Sequence, residues 1–214
     1  MIILHEALNL DPASPASVDG LCALAEEELA PAVARLGGRL VGAFTCDADW
    51  FAQAQHLLEF DDLTAYDAFR SKAATDEQWQ RCRAMLEDLA PHQASQLLEP
   101  LGPIPVESLH AAIAASEKEP VEIYSMATLE VLPRAMPEFT KLLGAGAGAL
   151  PIAACWTPVV GNRLQVMDLW TTALGRDPYS PARDSMRGFF NSLREVAPKE
   201  RLVNWTALPY SPLR

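Results

Sequence analysis

The chain has 214 residues, half of them apolar and 21% charged, with a formal net charge of −11. That composition supports a full hydrophobic core and fits one large domain or two of about 100 residues. It argues against a nucleic-acid or anionic-membrane partner, because no basic stripe accompanies the acidic balance.

No apolar run approaches the roughly 20 residues of a membrane span. The N-terminus, MIILHEALNL, lacks a basic leader region and reads as a strand, so a cytoplasmic protein is expected. Cys22, Cys46, Cys82 and Cys155 form no CxxC pair, and reduced core thiols are expected.

In chain order, Ile2–Leu10 reads as a strand stopped by Asp11-Pro12. Ser14-Pro15 opens a helix that ends at Gly37-Gly38, and Pro31 should bend or divide it. Arg39–Cys46 and Ala52–Phe60 follow as strands, with a turn at Asp47–Trp50. Asp61-Asp62 caps a helix reaching Lys72. Thr75-Asp76 caps the next, whose Trp79, Cys82, Leu86 and Leu89 share a face, and His92–Leu101 closes the set as a strand. The order β-α-β-β-α-β predicts a four-stranded antiparallel sheet with helices on one face.

Gly102–Pro120 reads as a connector able to form a helix over Val106–Lys118. The pattern then returns: strand at Glu122–Leu132, helix at Met136–Leu143, a GAGAGA run, a hairpin of Ile152–Pro158 and Leu164–Thr171, a GRDPYSP loop, helix at Ser185–Val196 and strand at Arg201–Pro209. LEDLAP at 86–91 matches LREVAP at 193–198, and LEPLGP at 98–103 matches ALPYSP at 207–212. His56-Leu57-Leu58 matches Asp168-Leu169-Trp170. The expected organisation is therefore a first unit at 1–101, a linker at 102–120 and a second unit at 121–214.

GGRLVGAFT (37–45), HLLEFDDLTAYDAFR (56–70), TDEQWQ (75–80), SQLLEP (95–100) and LEVLPRAMPEFTKLL (129–143) resemble the NIPSNAP family of the dimeric α/β-barrel superfamily. The resemblance implies an α+β fold of two tandem ferredoxin-like units packing sheet to sheet as an intramolecular barrel. It departs from the family at an Arg of the first strand, replaced by Glu6 and Ala127, and at a Trp replaced by Leu58 in the first half.

Polar residues in the middle of such strands stand out against the apolar pattern. His5 and His56 lie near the centres of neighbouring strands, where they could face one another. Asp168 holds the place of His56 in the second half. These three are the candidates for proton transfer. Glu6, Gln55, Phe44, Tyr124, Trp156 and Trp170 are candidate substrate contacts. The resemblance implies a cofactor-independent enzyme of isomerase, cyclase, lyase or oxygenase type on a hydrophobic small molecule. A non-catalytic binding protein and a structural assembly module are the other readings. No metal, haem or nucleotide motif is present, no cofactor is expected, and a monomer or weak homodimer is.

Overall fold

A computed structural model of the chain describes residues 1–10, 15–48, 51–147, 150–172 and 187–214. Expectations placed on Asp11-Pro12, Ser14, Trp50, the GRDPYSP loop and Ser185 lie outside them. The described residues gather into two compact units, Met1–Leu98 with Thr206–Arg214, and Glu99–Trp205.

In the first unit, β1 (Ile2–Leu10) lies between β4 (His92–Pro100) and β3 (Phe51–Phe60). Strand β2 (Arg39–Ala48) flanks β3, all antiparallel, giving the order 4-1-3-2. Thr206 and Ala207, the end of β8 (Lys199–Ala207), extend this sheet beside β2. One face is covered by helices. Even-numbered Leu8, Leu10, Ala54, Leu58 and Phe60 pack there with Leu21, Leu29, Val33, Phe69, Trp79 and Leu86. Alternation along a strand makes that parity the signature of the helix-covered face.

The first crossover is divided, as Pro31 led one to expect. Helix α1 (Pro15–Leu24) passes into a π-turn at Ala25–Leu29, then α2 (Ala30–Leu36). Ala30 N–H bonds to Ala25 O, five residues back. Proline has no N–H for the carbonyl four residues earlier and its ring crowds it, which favours a widened turn just ahead. Gly37, at φ 99°, ends α2 in the left-handed conformation that glycine adopts without strain.

Helices α3 (Leu63–Ala73) and α4 (Glu77–Leu89) complete the unit. Of the two pairs expected to cap them, Asp61-Asp62 and Thr75-Asp76, the capping members are Asp62 and Asp76. Asp62 accepts from Ala65 N–H at 2.8 Å and Asp76 from Trp79 N–H at 2.7 Å. Replacing Asp62 by alanine orphans a first-turn N–H and should cost about 1 kcal/mol. Chemical denaturation of Asp62→Ala checks this, and an unchanged midpoint would deny the cap a stabilising role.

The second unit repeats the plan. Strand β5 (Tyr124–Glu130) lies between β8 and β7 (Gln165–Trp170), and β6 (Ile152–Pro158) flanks β7. Helix α5 (Glu107–Ser116) packs on β6, while α6 (Met136–Gly146) and α7 (Arg187–Val196) pack on each other. Phe139, Leu143 and Leu193 from these two helices meet Ala127, Leu129, Val166 and Trp170 from the strands. The registers of the units are equivalent. His56 pairs with Glu6 and Ala43, as Asp168 pairs with Ala127 and Cys155.

All four cysteines are free. Cys82 and Cys155 are buried, but Cys22 and Cys46 are partly exposed, so not every thiol is a core residue. Among the described residues no helix is long and apolar enough to cross a membrane.

Candidate functional site

The strand registers sort the candidates by face. His5 pairs with Leu57 and Gln96, whereas Glu6 pairs with His56. His5 and His56 therefore lie on opposite faces of the first sheet and do not face one another, because adjacent strands place the same pleat side by side. For the same reason His5, Glu6 and His56 cannot converge as three metal ligands. Asp168, the counterpart of His56, likewise lies on the helix-covered face of its own unit.

On the helix-covered face of the first unit, Glu6 is the hub. Its Oε1 accepts from Arg83 Nη1 at 3.0 Å, and its Oε2 lies 3.7 Å from His56 Nδ1. His56 Nε2 is 2.7 Å from Tyr210 Oη. Arg83 also donates to Gln93 Oε1 at 2.7 Å. Glu6 is 6% exposed and His56 0%. Burial alone would raise the Glu6 carboxyl, but His56 and Arg83 outweigh it and hold the carboxyl below its ordinary range. Tyr210 is pushed upward, first by burial and then by Cys22, Glu26 and Glu6.

Tyr210 reaches this face because the C-terminal tail is tied to β2. Leu208 N–H donates to Ala43 O at 2.9 Å and Ala43 N–H to Ser211 Oγ at 2.9 Å.

The face turned away from the helices carries His5, Gln55 and Gln96 among Ile3, Phe44, Leu57 and Leu98. Phe44 is wholly buried. Gly42 makes room for its ring, since a Cβ there would stand 2.8 Å from it. Gln96 Nε2 lies 3.1 Å from His5 Nδ1. The amide N–H donates to Nδ1, so the neutral ring carries its proton on Nε2. Burial lowers the His5 pKa, against opposing attractions from Gln55 and Glu6, and keeps the ring neutral. His5 Nε2 and Gln55 Oε1 are both buried without a hydrogen-bond partner.

In the second unit the corresponding face bears Tyr124, Met126, Trp156, Met167, Leu169 and Trp205. The indole N–H groups of Trp156 and Trp205 have no partner. Trp170 belongs to the other face, where it packs against Phe190 with ring centroids 6.5 Å apart. Asp168 lies there too. It is 3% exposed, its Oδ1 unpartnered, and burial raises its pKa to about 7 with help from Glu200, against Trp170 and two backbone N–H groups.

Arg83, Gln96, Trp205 and Tyr210 were not among the sequence candidates. Arg83 stood four residues after Trp79 on the apolar stripe of α4, which was a legible sign of a buried carboxylate partner. Tyr210 offered no such sign.

Over its whole length the chain is similar in fold to a provisionally assigned monooxygenase from Lactobacillus acidophilus (TM-score 0.62, 10% identity, 100% of this chain and 97% of that one). A similarly assigned protein from Fusobacterium nucleatum gives 0.62, 9% identity, and 97% and 92% coverage. An anthrone oxidase-like protein gives 0.52, 12% identity, and 96% and 90% coverage. These likenesses place the chain in the α+β fold class of the dimeric α/β barrels. No curated protein matches it. The NIPSNAP family model matches residues 13–103.

Proposed function

We propose that the chain binds a hydrophobic small molecule bearing a carbonyl or hydroxyl oxygen and transforms it without a cofactor. The observation that carries this reading is the His5–Gln55 pair: one donor and one acceptor, both buried, drawn to each other but with no hydrogen bond of full geometry to any group. Buried polar groups without partners are uncommon, and a ligand that supplies both partners recovers their desolvation cost. A ligand oxygen would accept from His5 Nε2–H, and an adjacent hydroxyl would donate to Gln55 Oε1. Phe44, Leu57 and Ile3 supply the apolar surround. A neutral imidazole in this role polarises a carbonyl and eases loss of a neighbouring proton, which suits isomerisation, cyclisation or lyase chemistry. Fold neighbours named monooxygenase and anthrone oxidase-like support a small-molecule role for the fold.

A second reading, binding without turnover, is favoured by one detail. With Nδ1 held by Gln96, Nε2 is a donor and cannot itself abstract a proton. Turnover by the bound protein separates the two.

Native mass spectrometry of protein purified from its own host tests the shared claim. Wild type should retain a small molecule, and His5→Phe should reduce its occupancy roughly tenfold or more, as expected for one lost buried hydrogen bond. Nitrogen-15 shifts should report the Nε2–H tautomer for His5. A bare wild-type protein, or equal retention by His5→Phe, overturns the assignment.

A further inference from the structure

The helix-covered face of the first unit holds a second constellation that the proposed ligand face does not use. Glu6, His56 and Tyr210 come from β1, β3 and the C-terminal tail. They form a carboxylate, imidazole and hydroxyl in series, the first two in charge contact at 3.7 Å and the last two hydrogen-bonded at 2.7 Å. A hydroxyl within hydrogen-bond reach of a base, itself oriented by a third group, is the general signature of an activated nucleophile. Separations in an unliganded site commonly tighten when substrate binds.

The protonation pattern is consistent with that role. Glu6 is held ionised by His56 and Arg83. The carboxylate favours the tautomer with the proton on Nδ1, and Nε2 is left to accept from the phenol. Burial opposes spontaneous ionisation of Tyr210, so its hydroxyl needs the base beside it. His56 is wholly buried, while Tyr210 is partly exposed. The second unit lacks the arrangement, since Ala127 and Asp168 replace Glu6 and His56 in the same register.

We propose that Tyr210, His56 and Glu6 form an acyl-accepting site for small activated esters, separate from the His5–Gln55 face. Tyr210 Oη attacks the ester carbonyl and its proton passes to His56 Nε2. An Oη–acyl bond forms, the bond from the carbonyl carbon to the leaving oxygen breaks, and the leaving alkoxide or phenoxide takes the proton from His56. No oxidant or reductant enters. Glu6 acts through His56 and is a positioning residue. Arg83 keeps Glu6 charged.

The probe is p-nitrophenyl acetate, with release of nitrophenolate followed by absorbance and the acetylated residue mapped by peptide mass spectrometry. Wild type should acquire one acetyl group at Tyr210 at least tenfold faster than at Tyr66, a partly exposed tyrosine without such a base. His56→Gln should slow labelling of Tyr210 to the rate of Tyr66, and Tyr210→Phe should abolish the fast phase. The pH profile of the wild-type rate serves as a second measurement that needs no variant to fold. It should level off well below the pH at which Tyr210 itself ionises, since burial holds that phenol above its ordinary value. Labelling of Tyr210 no faster than Tyr66, a phenol-like profile, or full labelling in a folded His56→Gln protein would each overturn the proposal. Binding at the His5 face stands or falls separately, since neither variant touches it.

Discussion

Asp168→Asn is expected to remove most of the pH dependence of stability between pH 4 and 7 and to make the protein more stable than wild type at pH 8. The folded-state pKa is raised from 3.8 to about 7, chiefly by burial. Between those values the folded chain holds a proton that the unfolded chain has lost. The Asp168 contribution is therefore fully present below pH 3.8 and is lost as pH rises through 7, by about 4 kcal/mol for a shift of this size. The asparagine is neutral throughout and adds no such slope. Its amide has Trp170 close by, though it inherits the unpartnered position of Oδ1. Thermal unfolding at pH 5.5, 7 and 8.5 is the measurement. Parallel curves for wild type and variant would show that Asp168 does not titrate within the folded protein.

What could be read from the residues alone follows from what local patterns encode. Strand and helix order was legible because apolar periodicity and caps act within a few residues. Asp62 and Asp76 announce their helices, and Pro31 its own disruption. The equivalence of His56 with Asp168 was legible from a short repeat, and the strand registers place the two identically. The face each side chain takes was not legible, because a shift of one residue reverses it. His5 and His56 were thus expected together and stand apart. Trp156 and Trp170 were both read as substrate contacts, and Trp170 turns to the other face for the same reason. Tyr210 was out of reach altogether. Its partner lies 154 residues earlier, and the tail that delivers it reads as little more than a strand end followed by prolines.

Arg83→Met should destabilise the protein by about 3 kcal/mol at pH 7 and by much less at pH 4. The loss arises because Glu6 stays buried while the guanidinium that donates to its Oε1 is gone. Removing one member of a buried ion pair costs more than the pair contributes, because the remaining charge is uncompensated. Methionine preserves the apolar stem that runs over Trp79, where the guanidinium stands 5.8 Å from the ring centroid. The pH dependence identifies the cause. The Glu6 carboxyl is held below its ordinary 4.5 in the folded state, so its contribution is present above 4.5 and disappears as pH falls through the folded value. Acid therefore erases the contribution in wild type, while in Arg83→Met protonation of Glu6 relieves an unpaired charge, and the two proteins converge. Denaturant midpoints at pH 7 and pH 4 measure this. A difference that stays constant across that range would assign the loss to packing on α4, with no part played by the Glu6 charge. Convergence would show that the carboxylate beneath the helices is ionised in the native protein, and an ionised carboxylate is what the Glu6–His56–Tyr210 series requires to orient its imidazole.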